Sequence, residues 1–397
     1  MVDCGGPAIA LVDGEHHPAA VREALDRLDL AGVIFCGGEE KLAPGQLADH
    51  YGRPVETEPE EALQRLAPRA AAVVDLADEP VLPPSAKLRL AALALHLGLR
   101  YEAPGLRLEP PLYEPVAFAG PKLAVIATAK RTGKTAVAGH WAALLRGLGV
   151  DPVIVCMGRG GPADPRVAES GIGLEFLAAI DASGGHAASD YLEGAVLAGV
   201  RTVGCRRVGG GLAGAPAESN VPAGAELAAA LPGAGALVFE GSGACIPPVE
   251  VDRTVCIVGP GDAQPLGEYR LLRADLLLAH EAAPAPPEAV RFALRSEPAE
   301  PLSAGARVAL FTTGAPACEG VEAIVASTNL ARRSALGADL ERAAAERCDV
   351  YLTELKAAAI DTVARHAREH GARVVFVRNR PVGVDDALVT LYRDAAA

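Results

Sequence analysis

The sequence predicts an α/β fold in which a doubly wound, mostly parallel sheet is joined to a smaller N-terminal α/β domain. Short apolar strands alternate with helical patterns along most of the 397 residues, as in parallel sheets covered by helices on both faces. A phosphate-loop pattern lies between one strand and the following helix. A proline-rich stretch from Pro104 to Pro121 precedes that strand, so we expect domains at 1–117 and 118–397. Periodicity leaves open whether residues beyond about 305 form a subdomain or continue the sheet.

The N-terminal domain shows the alternating pattern first. Apolar runs predict strands at Ala8–Val12, Ala31–Phe35 and Ala70–Val74. Helical spacing of apolar residues predicts helices at Pro18–Leu28 and Ser85–Leu97. The order of these elements is that of a small parallel sheet.

The second domain repeats the pattern over a longer stretch. Helices are expected at Gly337–Arg347 and Ala357–Gly371, among others. In sheets of this kind the ligand lies beyond the carboxyl ends of the strands, so residues that follow strands are the functional candidates. The expected strands are Leu123–Ala127, Pro152–Cys156, Thr202–Cys205, Ala236–Phe239, Val255–Val258, Leu276–Ala279, Val308–Thr312, Ala323–Ala326, Val350–Thr353 and Val374–Val377.

The phosphate-loop pattern follows the strand Leu123–Ala127 and opens an amphipathic helix. Backbone N–H groups of such a loop surround phosphate oxygens, and Lys134 is expected to reach the β- and γ-phosphates. The hydroxyl of Thr135 is expected to bind Mg²⁺. Thr128 stands where the usual pattern has glycine, which is acceptable only if its backbone suits a residue with a Cβ. An ordinary turn with a chance GKT is the alternative. The predicted nucleotide-binding residues are Lys130, Arg131, Thr132, Gly133, Lys134 and Thr135.

Arginine and glycine residues follow several of the predicted strands. The arginine guanidinium group fits phosphate and carboxylate oxygens two at a time, so these residues predict a small substrate with several negative charges. Any one of them could instead cap a helix or pair with a surface acid. Arg378, Asn379 and Arg380 follow the last strand. The predicted substrate-binding residues are Arg159, Arg206, Arg207, Gly209, Gly210, Arg332 and Arg333.

Four other acidic or histidine residues follow strands. Glu240 ends an apolar strand downstream of the phosphate loop, where a carboxylate that organises Mg²⁺ is expected; a helix-capping acid is the alternative. Asp75 is a weaker candidate of the same kind. His16 and His17 are adjacent and so do not converge easily on one ion, and we expect a turn leading into a helix. The loop that enters a helix at 186–193 either lines the substrate cleft or caps that helix.

Charge and cysteine content exclude several classes of protein. The net charge of −13 lacks the basic footprint of a nucleic-acid-binding protein. The eight cysteines contain no CxxC pair, which argues against a zinc or redox motif and favours a reducing compartment. No signal peptide or membrane-spanning run is visible. We therefore expect a cytoplasmic protein whose partner is a small polyanionic substrate, with no nucleic acid and no membrane. We also expect a homo-oligomer, with a dimer as its form.

Taken together, these motifs resemble the cyclic 2,3-diphosphoglycerate synthetase family. The ordered set is more specific than the phosphate loop alone, and two N-terminal segments, 12–16 and 37–42, extend the similarity to nearly the whole chain. The segments that carry the resemblance are 130–136 (KRTGKTA), 157–162 (MGRGGP), 204–211 (GCRRVGGG), 240–244 (EGSGA), 246–248 (IPP), 352–359 (LTELKAAA) and 379–381 (NRP).

The resemblance implies a P-loop NTPase-like fold and an ATP-dependent ring closure of 2,3-bisphosphoglycerate. ATP would phosphorylate one phosphate of the substrate, and the neighbouring phosphate would then attack that activated phosphorus and expel inorganic phosphate. Two anions must meet, so charge neutralisation matters more than acid–base catalysis. The catalytic residues implied are Lys134, Glu240 and Arg131, with Mg²⁺ on Thr135 and Glu240. Asn379 is our candidate for contact with the base of ATP.

Three alternatives remain open at this stage. A P-loop kinase that acts on a related phosphorylated acid would give a linear product. A nucleotide-gated regulatory ATPase would have no small-molecule acceptor and would expose a large apolar patch. A metal-dependent hydrolase in the N-terminal domain would use His16, His17 and Asp75, and would survive mutation of Lys134.

Overall fold

Two sheets, one in each of two compact units, organise the chain in this computed structural model. The structure describes residues 5–38, 42, 47–187, 189–259, 266–314 and 316–397. Within those ranges, none of the helices has the combination of length and apolarity that crossing a bilayer requires. Cys4, Glu39, Glu40, Lys41 and Ala188, which entered the sequence analysis, lie outside the described residues.

The first unit comprises Met1–Leu112 together with Leu212–Gly214 and Ala263–Arg273. Its elements are β1 (Ala8–Val12), α1 (Pro18–Leu25), β2 (Leu30–Phe35), α2 (Leu47–Tyr51), α3 (Pro59–Leu66), a 3-10 turn (Ala67–Arg69), β3 (Ala72–Asp75), α4 (Pro84–His96), β4 (Arg100–Ala103) and β5 (Leu106–Leu108). The strand order is β2-β1-β3-β4-β5, and only β5 is antiparallel to its neighbour. The proline-rich stretch predicted to be a linker therefore begins with a strand of this sheet.

Internal hydrogen bonds hold two of the three candidate metal ligands of the first unit, His16 and Asp75. The buried Asp13 accepts hydrogen bonds from the backbone N–H groups of Glu15 and His16, and its Oδ1 lies 2.7 Å from His16 Nδ1. Asp75 Oδ2 accepts from Lys87 Nζ and from the Tyr101 hydroxyl, both at 2.7 Å. No three His, Cys, Asp or Glu side chains among the described residues form a group that would hold a metal ion. Residues 13–17 thus form the turn into α1 that the sequence predicted.

The second unit holds the phosphate loop and most of the chain. Its sheet contains 13 strands within the described residues. The strands are β6 (Lys122–Ala127), β7 (Pro152–Gly158), β8 (Arg166–Ala168), β9 (Arg201–Val208), β10 (Glu218–Ser219), β11 (Ala236–Glu240), β12 (Arg253–Val258), β13 (Leu276–His280), β14 (Val290–Pro298), β15 (Val308–Phe311), β16 (Ala323–Ser327), β17 (Val350–Glu354) and β18 (Arg373–Val382). The helices are α5 (Lys134–Gly147), α6 (Leu174–Ala182), α7 (Asp190–Leu197), α8 (Val221–Ala229), α10 (Arg333–Ala345), a π-helical segment (Ala359–Ala364), α11 (Arg365–Glu369) and α12 (Asp385–Ala396), while α9 (Gly267–Leu272) belongs to the first unit.

The large sheet consists of two parallel blocks that run in opposite directions. The first block is β9-β7-β11-β6-β12-β13-β14, and the second is β18-β17-β15-β16, which continues the same sheet. β14 and β18 join the blocks as an antiparallel pair. The residues of β14 that pair with β13 end at Phe292, and those that pair with β18 begin at Ala293. The second block therefore begins beyond the carboxyl edge of the first, and its own carboxyl ends point back toward that edge.

Three strands differ from the sequence prediction in ways that matter for the site. β9 and β18 are longer than predicted, so Arg206, Arg207 and Asn379 lie within strands rather than after them. Side chains alternate between the faces of a strand, so neighbouring residues there point in opposite directions. β14 was not predicted, because its charged residues break the apolar run; its alternating pattern was the available signal.

The apolar core of the second unit fixes the helix that follows the phosphate loop. Val137, Trp141 and Leu145 on one face of α5 are fully buried against the sheet. The indole Nε1 of Trp141 donates a hydrogen bond to the Leu388 carbonyl of α12 at 3.0 Å. Burial of this face fixes the rotation of α5, and therefore the direction in which its N-terminal residues point.

Candidate active site

The phosphate loop connects β6 to α5 in the conformation that the sequence predicted. Thr128 lies outside the left-handed backbone region, and its N–H donates to the Ile257 carbonyl at 3.1 Å, so no glycine is required there. Arg131 (φ 61°) and Gly133 (φ 91°) adopt left-handed conformations that turn the chain into α5. His280 Nε2, at the end of β13, lies 3.0 Å from the Thr132 carbonyl and steadies the loop. The loop is therefore shaped to present N–H groups at the start of α5.

The first residues of α5 meet the end of β11. Lys134 is only 7% exposed, and its Nζ lies 3.4 Å from the Ala129 carbonyl of the loop. The Thr135 hydroxyl donates to Glu240 Oε1 at 2.5 Å. The thiol of Cys156, from the neighbouring β7, donates to the other carboxylate oxygen at 3.5 Å. The ammonium, hydroxyl and carboxylate that the sequence assigned to catalysis and metal binding therefore converge, because α5 follows β6 and Glu240 ends the adjacent strand β11.

Burial dominates the electrostatics of this cluster. It raises the pKa of Glu240 to about 8, and the nearby Asp190 carboxylate adds to the increase. Burial also lowers the pKa of Lys134, an effect opposed by the carboxylates of Glu240 and Asp190 and reinforced by the guanidinium of Arg159. The electrostatic interactions among these charged groups are strong because the space around them is poorly hydrated.

Two arginines flank the loop that follows Glu240. A Cβ added to Gly243 (φ 62°) would lie 2.7 Å from Arg159 Nη2 and 3.5 Å from Arg207 Nη2. Arg207 is buried, and its Nη2 donates to the Ser242 carbonyl at 2.9 Å. Its Nη1 donates to the Gly209 carbonyl, whereas its buried Nε has no partner among the described residues. Two positively charged hydrogen-bond donors thus flank the loop, and one of them, Arg207, is fixed by its bonds to two carbonyl groups.

Arg206 points away from the Gly243 loop, whereas Gly161 lets the loop after β7 approach β9. The Arg206 side chain is exposed, because alternation along β9 turns it to the face opposite Arg207, and its backbone N–H is held by Asn220 Oδ1 at 2.6 Å. A Cβ on Gly161 would lie 1.9 Å from the Cys205 carbonyl, so the glycine allows the loop after β7 to pack against β9. Of the two adjacent arginines, only Arg207 therefore faces the Gly243 loop.

Two further charged residues come from other elements: Glu193, predicted only as part of the loop at 186–193, and Lys356, which was not named as a site candidate. Glu193 of α7 is 7% exposed, and its Oε1 lies 3.8 Å from Lys356 Nζ, which follows β17. The Glu193 carboxylate raises the pKa of Lys356, and Asp190 and Glu240 contribute to the same field. Lys356 thus brings positive charge from the opposed second block toward the first. Only the segment 352–359, quoted for its family resemblance, pointed to this lysine.

The arginines of β18 are already paired. Arg378 Nη2 lies 2.9 Å from Glu297 Oε1, and Arg380 Nε lies 3.1 Å from Glu297 Oε2. Between them, Asn379 Oδ1 accepts a hydrogen bond from the Ser296 hydroxyl at 2.7 Å. These side chains surround a cavity rather than a cationic trough.

Arg332 and Arg333 lie away from this cluster of contacts. They stand at the start of α10, after β16 at the edge of the second block, and both are exposed. Arg333 forms an ion pair with Asp361 and donates to the Thr362 hydroxyl at 2.9 Å. The alternative considered for single arginines, pairing with a nearby acid, therefore describes Arg333, and we leave both residues out of the proposed substrate site.

Lys130 and Arg131 are exposed on the phosphate loop. Gly209 (φ 69°) and Gly210 follow β9, and a Cβ on Gly210 would lie 2.7 Å from the Cys245 sulfur and 3.5 Å from Arg207 Nη1. These two glycines allow the backbone to approach the Arg207 guanidinium. The nucleotide and substrate roles of all these residues remain predictions.

A cavity of about 230 Å³ begins beside Thr135. Its walls are α5, α7 and residues 378–381 of β18. Glu193 lines it, and the buried Oε2 of this carboxyl group has no hydrogen-bond partner among the described residues. Burial raises the pKa of Glu193 to about 7, against the lowering effect of Lys356.

Comparison with known proteins gives a consistent result along the chain. Three family models match, described as the N-terminal domain (residues 7–109), the P-loop domain (122–285) and the C-terminal domain (304–380) of cyclic 2,3-diphosphoglycerate synthetase. Proteins of that name from Rubrobacter xylanophilus and Thermococcus gammatolerans are 44% and 37% identical, covering 97% and 95% of this chain and 97% and 94% of their own. Among solved structures, LpxK from Aquifex aeolicus in complex with ATP aligns with a TM-score of 0.44 at 12% identity, over 72% of this chain and 91% of that one.

Proposed function

This chain belongs to the cyclic 2,3-diphosphoglycerate synthetase family, and we propose that it uses ATP to form an intramolecular pyrophosphate in 2,3-bisphosphoglycerate. The observation that carries the proposal is the convergence of a phosphate loop, a buried carboxylate and two oriented arginines at one sheet edge. The overall reaction consumes ATP and 2,3-bisphosphoglycerate and yields cyclic 2,3-diphosphoglycerate, ADP and inorganic phosphate.

The start of α5 suits Mg²⁺–ATP. The backbone N–H groups of the loop and Lys134 would hold the phosphates. The hydroxyl of Thr135 and the carboxylate of Glu240 supply the oxygen ligands that Mg²⁺ prefers, and this ion usually keeps several waters and needs few protein ligands. The ion would neutralise phosphate charge when bound. Glu240 would have to ionise for that role, which its raised pKa opposes until a cation is present.

The acceptor is proposed to lie between the Gly243 loop and the second block. Arg159 and Arg207 would bind its phosphates from one side, since guanidinium groups hold such oxygens in fixed geometry. Lys356 would approach from the carboxyl ends of the strands in the second block. Its ammonium group would leave the long contact with Glu193 and bind a phosphate of the substrate instead. The substrate would then be held by cations from both blocks, which offsets the repulsion between its phosphates and ATP.

The chemistry proceeds in two balanced steps. An oxygen of one substrate phosphate attacks the γ-phosphorus of ATP, the bond to the β-phosphate oxygen breaks, and ADP leaves. An oxygen of the neighbouring phosphate then attacks the substrate phosphorus of the new anhydride and expels inorganic phosphate. The two phosphates sit on adjacent carbons, so the second attack is intramolecular.

Product analysis by phosphorus NMR tests the proposal. Protein, Mg²⁺–ATP and 2,3-bisphosphoglycerate should give a cyclic pyrophosphate and free phosphate in equal amounts, and Lys134→Ala should give neither. A linear phosphorylated product without free phosphate would favour the kinase. ATP hydrolysis without any change in the acid would favour the regulatory ATPase. Six cysteines of the described chain form no disulfide, which supports our proposal that the protein works in the reducing cytoplasm; they are Cys36, Cys156, Cys205, Cys245, Cys318 and Cys348.

A further inference from the structure

His280 reaches the phosphate loop from a strand that does not carry the loop. It ends β13, which β12 separates from β6 in the sheet. Gly259, directly after β12, leaves room for the buried Thr132, because a Cβ at Gly259 would lie 2.5 Å from Thr132 Cγ2. A buried carbonyl group needs a hydrogen-bond donor, and His280 Nε2 lies 3.0 Å from the Thr132 carbonyl oxygen. The contact therefore comes from a neighbouring part of the sheet and not from the loop itself.

The hydrogen bond fixes the orientation of the peptide group between Thr132 and Gly133. The C=O and N–H of a trans peptide point in opposite directions, so a Thr132 C=O held toward β13 turns the Gly133 N–H away from β13. Gly133 (φ 91°) directly precedes α5, and a Cβ at this residue would lie 2.7 Å from Leu294 Cδ1 of β14. The peptide group is thus held on two sides, and its N–H faces the inside of the loop, where phosphate oxygens would bind.

The imidazole ring of His280 is itself held in place by β14. Its centroid lies 4.4 Å from that of the buried Phe292, with 40° between the two rings. The His280 carbonyl oxygen accepts a hydrogen bond from Arg291 Nη1 at 3.1 Å. The Thr132 carbonyl can only accept, so Nε2 carries a proton and acts as a donor rather than as a base. The donor is therefore in position before a nucleotide binds, which lowers the cost of ordering the loop.

We propose that His280 is a positioning residue for ATP: its Nε2–H orients the Thr132–Gly133 peptide so that the Gly133 N–H can donate to a phosphate oxygen. The histidine acts through the loop and does not touch the nucleotide. Without it, the Thr132 carbonyl would lose its partner, and the peptide would be free to turn toward another donor. The phosphates would then bind less tightly, and the γ-phosphorus would be misplaced for transfer. This inference rests on the proposed use of ATP.

Two substitutions at this position separate hydrogen bonding from packing. His280→Leu removes the N–H, whereas His280→Gln places an amide N–H at nearly the same distance from the backbone. We expect His280→Leu to bind tripolyphosphate and Mg²⁺–ATP about tenfold more weakly, as for one lost buried hydrogen bond, and His280→Gln to stay within about threefold of the unchanged protein. At saturating ATP, kcat of His280→Leu should also fall by about tenfold or more, while the KM for 2,3-bisphosphoglycerate changes less than about threefold. Titration calorimetry and initial rates on the full chain would measure these effects.

His366→Leu is the matched control. His366 lies on α11, and its ring also packs on an aromatic ring, that of Tyr351, with centroids 5.8 Å apart. This variant should leave the affinity for tripolyphosphate unchanged. Equal weakening by His280→Leu and His280→Gln would overturn the inference, because it would assign the effect to packing, and so would unchanged affinity in His280→Leu. If the unchanged protein bound neither tripolyphosphate nor ATP, the proposed use of ATP would fail, and this inference with it.

Discussion

The hydroxyl of Thr135 donates a hydrogen bond to Glu240 Oε1 at 2.5 Å, joining the first turn of α5 to the end of β11 across 105 residues of sequence. The carboxylate is buried and near Lys134, so its charge is not dissipated by water. This pair defines where a cation and the phosphates of ATP would meet. The proposed chemistry depends on it more than on any other contact in the described chain.

Replacing Glu240 by Gln tests the charge of that carboxylate. The amide oxygen can still accept from Thr135, so we expect the fold to persist while Mg²⁺-dependent turnover falls at least about 100-fold, or about 3 kcal/mol of barrier. Steady-state assays across Mg²⁺ concentrations would measure this loss. Cys156→Ala removes the other neighbour of the carboxylate and should change the rate less than about threefold. Near-normal turnover in Glu240→Gln would mean that the carboxylate does not serve the metal.

The two adjacent arginines of β9 should behave very differently. Arg207 faces the Gly243 loop whereas Arg206 faces solvent. Arg207→Gln should raise the KM for 2,3-bisphosphoglycerate by about 10- to 100-fold through loss of a charge-assisted contact, with ATP affinity little changed. Arg206→Gln is the matched control, and we expect a change below about threefold. Equal effects of the two substitutions on acceptor KM would remove Arg207 from the site.

Lys356 provides a test of the opposed strand blocks. Lys356→Gln should raise acceptor KM by about tenfold or more, and Lys356→Arg should restore part of the affinity because it returns the charge. Initial-rate kinetics at saturating ATP would measure both. Arg365→Gln, which removes an exposed cation from α11, controls for a general change in surface charge and should leave KM unchanged. If Lys356→Gln and Arg365→Gln raise the KM for the acceptor equally, the effect is not specific to Lys356.

The buried Glu193 predicts a pH dependence of stability. Burial raises its pKa from 4.5 to about 7, so the folded protein holds this proton more tightly than the unfolded chain does. The unfolding free energy should therefore fall as the pH rises from about 4.5 through about 7, by on the order of 2 kcal/mol from this group. Glu193→Gln should flatten that slope in urea titrations at pH 5 and pH 7.5. Glu226→Gln, at an exposed position of α8, should leave the slope as it is; an unaltered slope in Glu193→Gln would contradict the prediction.

The sequence predicted local features of the site well, because they depend on contiguous residues. The phosphate loop needs a strand, a turn and a helix in order, and Thr128 to Thr135 supply the turn and the helix start. Glu240 was predicted because it ends an apolar strand downstream of the phosphate loop, where a carboxylate that organises Mg²⁺ is expected. Arg206 and Arg207 could not be separated, because doing so required the true end of β9 and the alternation of its side chains.

Non-local features were out of reach for a different reason. Lys356 reaches Glu193 only because β18 pairs with β14 in the antiparallel sense, which reverses the whole second block. A single sequence carries no signal for that pairing. Arg332 and Arg333 were predicted to bind substrate because they follow a strand of a mostly parallel sheet, but that strand, β16, lies at the edge of the second block. Glu193 was visible only as part of a helix entry. Its importance comes from its burial beside α5. That burial depends on how the helices pack, which no sequence motif indicates.

The most direct test of the account follows oxygen atoms through the reaction. 2,3-Bisphosphoglycerate with oxygen-18 in its non-bridging phosphate oxygens would be incubated with protein and unlabelled Mg²⁺–ATP, and the released phosphate examined by mass spectrometry. In the proposed two-step reaction each released phosphate should carry one oxygen-18 atom, because the substrate oxygen that attacked ATP leaves with the γ-phosphorus. Formation of the cyclic product with released phosphate free of oxygen-18 would contradict it.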